Sequence, residues 1–223
     1  MQPGVPLDQV KAPMHEFFER ARTRLNCDVP PGLTDLDAKV RIRGDLDLEP
    51  ALWEKAGVKA TKPAAVLVPV VARPKPQVLL TLRTPDLKSH SGQIAFPGGR
   101  IDPGDASPLA AALREANEEV GLDKRFIQPI GYLDLYLTFS GFRILPLVAH
   151  IDPDYAMTVN PSEVADAFEV PLEFLMTPGN HQRLKRDWKG LERQYYAMPF
   201  GERYIWGVTA GILRNLYERI YAG

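Results

Sequence analysis

The spacing of apolar and polar positions divides the chain into recognisable elements. Residues 1–13 read as a loose lead-in. From Pro13 to about Asn26, Phe17, Phe18, Ala21 and Leu25 share one side of a helical projection, which predicts a helix with a buried flank. Cys27 to Pro63 is mixed and punctuated by proline, with a short helix expected around Ala51–Ala56. Ala64–Val71 (AAVLVPVV) is an apolar run suited to a buried strand. Gln77–Arg83 is a second strand, joined to the first as a hairpin through the ARPKP turn. Asp86–Ser91 is polar loop and Gln93–Phe96 a short strand. Ser107 and Pro108 open a helix as N-cap and first helical residue, and Gly121 closes it. Ile130–Thr138 alternates as one strand, and Phe142–Ile151 follows as another across Ser140-Gly141. Val159–Pro161 is a turn, and Glu163–Phe168 and Pro171–Met176 resemble short helical turns. His181–Lys189 and Glu192–Pro199 read as two further strands, and Trp206–Tyr221 is an amphipathic closing helix. Strands, a helix, more strands and a last helix predict an α/β fold, with a mixed central sheet in an α/β/α sandwich. Residues 1–63 are expected to form a partly helical N-terminal extension packed on a main domain of residues 64–223.

Composition narrows this picture. The chain has 223 residues, 45% hydrophobic and 25% charged, enough core for one domain with an ornament. A formal net charge of -1 gives no sign of a nucleic-acid surface or an anionic membrane partner. Cys27 is the lone cysteine, so no internal disulfide forms and an inert thiol is the reading. No run approaches the roughly 20 apolar residues of a membrane span. The first residues lack a basic-then-apolar export pattern and the last three are no peroxisomal address, so a cytoplasmic protein is expected. His15, His150 and His181 have no metal-ligand spacing, and His90 reads as a loop bystander. Phe96 and Trp206 are expected in the core.

The chemistry gathers between Phe96 and Leu122. Gly98-Gly99 allows backbone conformations closed to other residues and lets the chain pass close to a ligand. On the following helix Leu109, Leu113, Ala116 and Val120 form the apolar stripe, while Glu115, Glu118 and Glu119 gather on the opposite side with Arg114 beside them. A solvated acidic face is the ordinary account of such a cluster. Against it, Glu115 and Glu119 are a like-charge pair four residues apart, and Glu118 and Glu119 sit in the last turn, where the helix dipole disfavours anions. Neither Lys nor Arg lies four residues beyond either end of that pair. A hard divalent cation, which takes carboxylate oxygens, gives the cluster a purpose, with a glycine carbonyl as a further donor.

These residues resemble the Nudix box: Gly, five residues, Glu, seven residues, then Arg-Glu-aliphatic-x-Glu-Glu-x-Gly-aliphatic. Gly99 opens the box, and Arg114-Glu115-Ala116-Asn117-Glu118-Glu119-Val120-Gly121-Leu122 closes it. Asp105 stands in place of the first Glu, one residue further from Arg114 than the pattern asks, and Ala116 is a small aliphatic residue. Upstream, LLTLRTPDLKSHSGQIAFPGG (residues 79–99) is similar to the second motif of the coenzyme A diphosphatase branch. Leu79, Leu80, Thr81, Arg83, Gly92, Phe96, Pro97, Gly98 and Gly99 match in register; Thr84 and Lys88 depart from it. The resemblance extends from about Ala64 to Ile220.

It implies a Nudix-type sandwich and Mg²⁺- or Mn²⁺-dependent hydrolysis of the diphosphate of coenzyme A or its derivatives, giving 3′,5′-ADP and 4′-phosphopantetheine. The metal ligands would be Glu115, Glu118, Glu119 and the Gly99 carbonyl. Arg114 would orient a glutamate, Asp105 would stand behind the ligands, and Asp102 would be a turn residue. Arg83 and Lys88, with the Gly98-Gly99 backbone, would bind phosphates, a surface salt bridge being the competing account. The general base stays open between Glu115, Glu119 and Glu163; the latter reads equally as a helix N-terminal acid. The partner is a small nucleotide, with a homodimer left open. Another nucleoside diphosphate derivative (ADP-ribose, NADH or a dNTP) remains an alternative substrate. A non-catalytic nucleotide-binding module is the alternative from another class.

Overall fold

The computed structural model describes residues 12–44, 47–48, 61–85, 92–188 and 191–222. The expected helix at Ala51–Ala56, together with Lys88 and His90, lies outside them.

Burial on both faces explains the apolar run at the centre of the fold. In β2 (Lys62–Val71), Ala65, Leu67 and Val71 turn toward one layer, while Val66, Val68 and Val70 turn toward the other. β3 (Gln77–Arg83) repeats the alternation, Leu79 facing one way and Val78 and Leu80 the other. On one side packs helix α2 (Pro108–Val120) through Ala111, Ala112, Ala116 and Val120. On the other lie α1 (Ala12–Arg24), through Phe17, Phe18 and Ala21, and α4 (Val208–Tyr217), through Leu213 and Leu216. Strands with both faces covered read as continuous hydrophobic stretches. The architecture is the α/β/α sandwich expected.

The remaining strands of the main sheet are β1 (Ile42–Gly44), β4 (Ile94–Ala95), β5 (Gly98–Arg100), β6 (Ile127–Tyr132), β7 (Leu135–Leu137), β8 (Phe142–Ile151) and β9 (Val164–Pro171). The path runs β1-β7-β8-β2-β3-β4, with β5 on β2, β6 on β8 and β9 on β3. The β2–β8 and β1–β7 pairs are parallel and the rest antiparallel, so the sheet is mixed. A separate antiparallel sheet holds β10 (Gln182–Trp188), β11 (Leu191–Phe200) and β12 (Arg203–Trp206). No helix among the described residues is long and apolar enough to cross a membrane.

Several expectations need correction. Glu163–Phe168 is not a helical turn: Val164 opens β9, whose register against β3 shifts between Leu82 and Arg83. That bulge puts Val164 and Ala167 on one face although they are three residues apart, and Val170 is buried on the other face, so buried positions recur every third residue and mimic a helical stripe. The single strand expected over Ile130–Thr138 is two, interrupted at Leu133-Asp134. Trp206 ends β12 instead of starting the last helix, which begins at Val208 after Gly207 takes a φ of 63°. Gly98-Gly99, expected as a turn, continues into β5. Helix α3 (Leu172–Leu175) falls within Pro171–Met176 as expected.

The segment after α1 is tied into the sheet by paired hydrogen bonds, Asn26 N to Tyr132 O (2.9 Å) and Tyr132 N to Asn26 O (2.8 Å). Because Phe17 is 1% exposed within the core shared with α4, Phe17→Ala is expected to destabilise the protein by about 3–5 kcal/mol in urea denaturation. A loss near zero would mean that α1 is not part of the cooperative core.

Candidate active site

Small side chains let α2 lie close to β2 and β5, and that closeness forms the site. Ser107 caps the helix by accepting from Ala110 N (3.1 Å), Pro108 follows, and Gly121 ends it with φ 66°. With Ala at 111, 112 and 116, the inward face extends to Glu119, which is 1% exposed. Of the expected stripe, Ala116 and Val120 are fully buried and Leu109 and Leu113 partly so, while Glu119, expected on the opposite side, lies on the buried face. The three glutamates consequently differ in surroundings, with side chains 2%, 16% and 51% exposed at Glu119, Glu115 and Glu118.

Two glycines lie close above them. A Cβ on Gly99 would stand 2.6 Å from Glu115 Oε1, and one on Gly98 would stand 2.5 Å from Ala65 O. Gly98 also has a φ of 149°, which strongly favours glycine. Its N–H donates to Glu119 Oε2 (3.1 Å), and Arg83 Nη1 donates to Glu119 Oε1 (3.2 Å). Despite both contacts, burial pushes the Glu119 carboxyl up to about 7, helped by the charges of Glu115 and Glu163. Burial likewise raises Glu115, against the pull of Arg114.

Arg114 is enclosed by acceptors. Its Nε and Nη2 donate to the two oxygens of Asp105, both at 3.0 Å. Nη1 donates to Glu115 and Glu118, also at 3.0 Å, and Nη2 reaches Arg100 O at 3.4 Å. Asp105 is itself fixed by Asp102 N donating to its Oδ2 (2.8 Å), and the Arg114 guanidinium holds its carboxyl below the usual range. The turn that accommodates the extra residue thus carries the shorter acid to a bidentate pair with Arg114.

Glu163 arrives from a distant loop sewn to both neighbours. Asn160 N donates to Glu119 O (2.9 Å), Thr158 N to Val120 O (2.9 Å), and Thr84 N to Glu163 O (3.0 Å). The loop end of β3, the end of α2 and the start of β9 therefore meet, and the Glu163 charge acts on Glu115 and Glu119. Arg83 closes the group; its Nε is buried without a hydrogen-bond partner among the described residues. Phe96 is core, 4% exposed, whereas Trp206 lies apart, edge-on to Tyr195 (5.6 Å between ring centres).

Hard carboxylate oxygens packed against backbone, with acid pKa values raised by burial and by one another, fit a divalent cation, which would relieve that repulsion. Among the described residues no three acidic, histidine or cysteine side chains are gathered ready to hold an ion; here the carboxylates face guanidiniums and the Gly98 N–H.

A NUDIX domain model matches residues 61–189. The chain is 42% identical over 159 residues to a Nudix hydrolase of Klebsiella pneumoniae named NudL, covering 71% of this chain and 83% of that protein. It is 40% identical over 157 residues to NudL of Escherichia coli K12, covering 70% and 82%. Among solved structures, DR0079 of Deinococcus radiodurans aligns over 70% of this chain and 83% of that one, at 15% identity and a TM-score of 0.46.

Removing the Asp105 carboxylate leaves Arg114 without its bidentate partner. Asp105→Ala is expected to cost about 1.5 kcal/mol in urea denaturation at pH 7, the low end for charged hydrogen bonds because the Arg114 side chain is 29% exposed. A carboxyl with a lowered folded-state pKa stabilises above its ordinary value of 3.8 and loses that contribution as pH falls. The difference between wild type and variant should therefore shrink below that pH; a constant difference would show that charge is not the cause.

Proposed function

Since the chain belongs to the Nudix hydrolase family, we propose that it cleaves the diphosphate linkage of coenzyme A or its derivatives, giving 3′,5′-ADP and 4′-phosphopantetheine. The observation that carries this reading is the sequence of residues 79–99, because substrate choice lies outside the acidic helix. Much of that stretch is spent on packing: Leu79 and Leu80 are fully buried, and Thr81 Oγ1 donates to Ala95 O (3.1 Å). Arg83 is different. Its guanidinium stands over the acidic pocket with a buried Nε that has no hydrogen-bond partner among the described residues, which suits a phosphoryl oxygen. Lys88 would add a second charge.

In this reading Glu115, Glu118 and Glu119, with the Gly99 carbonyl, hold Mg²⁺ or Mn²⁺. Bound there, such an ion neutralises phosphoryl charge and makes a water acidic enough to ionise near neutral pH. The protein's own contributions are positional. Arg114 fixes Glu115 and Glu118 against Asp105, so neither carboxylate has to be ordered when substrate arrives. The missing Cβ at Gly99 lets the Glu115 carboxylate lie close against the backbone that would supply the carbonyl ligand. Glu163 is favoured over Glu115 and Glu119 as the base, since its charge acts on both from a separate loop and it is not needed to hold the ion. A cytoplasmic setting accords with the substrate.

The test is turnover of coenzyme A, ADP-ribose, NADH and dNTPs at equal concentration with Mg²⁺ or Mn²⁺. Coenzyme A should be hydrolysed fastest, with 3′,5′-ADP as product; preference for another nucleotide would replace the substrate and keep the reaction.

Glu119→Gln should reduce hydrolysis to background while the far-ultraviolet spectrum is unchanged. The buried acid ionises only above about 7, so its charged form disfavours the fold at higher pH. Without metal at pH 8 the variant should melt no lower than wild type. Undiminished turnover would remove Glu119 from the site.

A further inference from the structure

Two carbonyls at the end of α2 are satisfied from outside the helix, and the segment that satisfies them leads into Glu163. The last four carbonyls of a helix have no partner within it. Gly121 N takes that of Asn117 (2.8 Å), while Thr158 N donates to Val120 O and Asn160 N to Glu119 O, each at 2.9 Å. Thr158 also packs against Gly121, where a Cβ would stand 3.1 Å from the Thr158 Cβ. Tyr155 and Val159 pack on the same core as the helix.

From Asn160 the bonds turn toward Glu163. The Asn160 carbonyl accepts from Glu163 N (3.1 Å) and Val164 N (2.9 Å), and Glu163 O accepts from Thr84 N (3.0 Å). Thr84 follows Arg83, whose Nη1 donates to Glu119 Oε1 (3.2 Å). Glu119, Arg83, Thr84, Glu163 and Asn160 thus form a closed circuit in which every link is a hydrogen bond or a peptide bond. Asn160 is the member whose backbone bonds both glutamates. Its side chain fixes the turn between them: Oδ1 accepts from Ser162 N (3.2 Å) and Ser162 Oγ (2.7 Å), across Pro161, whose φ is locked. A turn that only opens β9 would account for the bonds to Ser162 and Val164. It does not account for the bond from Asn160 N to the carbonyl of Glu119, the most deeply buried acid of the pocket.

We infer that Asn160 is a positioning residue which, given the reading of Glu163 as the base, fixes Glu163 relative to Glu119 before substrate arrives. The charge of Glu163 acts on Glu115 and Glu119, so a shift of this turn would alter the acid cluster and the base together.

Steady-state kinetics on whichever nucleotide of the substrate panel wild type cleaves fastest, with calorimetric titration of Mn²⁺ beside them, test this role. Both bonds to Ser162 lie at the exposed surface, so Asn160→Ala is expected to fold. It should lower kcat about tenfold, because small misplacements of a catalytic group are costly, while KM and Mn²⁺ affinity stay within about twofold of wild type. Ser162→Ala, which removes the Oγ bond alone, should show a smaller fall of the same kind. Asn160→Asp keeps the acceptor oxygen and should restore kcat to within about threefold. Glu163→Gln should itself lower kcat, and adding Asn160→Ala to it should cause no further loss, since nothing is left to place. Unchanged kcat in Asn160→Ala, additive losses in the double variant, or Mn²⁺ binding weakened in step with kcat would overturn the role of Asn160 alone. Full activity of Glu163→Gln would remove the base and Asn160 with it while keeping the hydrolase, whereas a wild type that cleaves none of the panel would remove the diphosphate reaction itself.

Discussion

A carboxylate pressed between a helix and the Gly98 backbone is the constraint on which the site depends. Glu119 is 1% exposed, and its oxygens meet the Gly98 N–H and Arg83. In a low-dielectric setting such contacts only partly offset the lost hydration, which is why the group stays hard to ionise. The neighbouring choices follow from keeping it there. Alanines at 111, 112 and 116 allow the close approach, Gly98 lets β5 lie close on β2 and so offers its N–H, Gly99 makes room for the neighbouring Glu115, and the Thr158–Glu163 loop bonds to the helix end. The charged form of this carboxyl is therefore locally destabilising, a cost that a bound cation would offset in the function proposed above.

The same geometry gives the unusual Asp105 a physical account. A shorter acid cannot reach Arg114 from the position a glutamate would occupy unless its backbone comes closer. The extra residue before the helix, with Asp105 N bonded to Asp102 O at 3.0 Å and Asp102 N to the Asp105 carboxylate, folds into a turn that supplies this approach.

How much of this could be read from residues alone depended on whether neighbours or sequence set the local conformation. The apolar runs at Ala64–Val71, Gln77–Arg83 and Phe142–Ile151 identified buried strands because both of their faces are covered. Helix α2 was marked by Ser107, Pro108 and Gly121, and its acids were recognisable from spacing. The inward turn of Glu119 was not, since periodicity sends polar residues outward and only tertiary contact reverses that. β5 was hidden because Gly98-Gly99-Arg100 has little strand propensity; it is a strand because Ala64–Val66 of β2 needs a partner where β3 has diverged. β9 was misread as helical for the same class of reason, its bulge being set by pairing with β3. Glu163, singled out by its place after Asn160-Pro161-Ser162, reaches the acids by backbone bonds that no spacing encodes.

The contrast between two arginines separates holding from binding. A guanidinium has five N–H donors. In Arg114 Nε, Nη1 and Nη2 all have acceptors, from Asp105, Glu115, Glu118 and the Arg100 carbonyl. Using it on a substrate would mean breaking those bonds and releasing the acids it aligns. Arg83 makes one carboxylate contact, at 3.2 Å, and keeps a buried Nε without a partner among the described residues. A substrate oxygen near Arg83 would satisfy that nitrogen, while one near Arg114 would have to displace a bond already made. Saturation of its donors suits Arg114 to positioning, and an incomplete set among the described residues suits Arg83 to the phosphate contact proposed above.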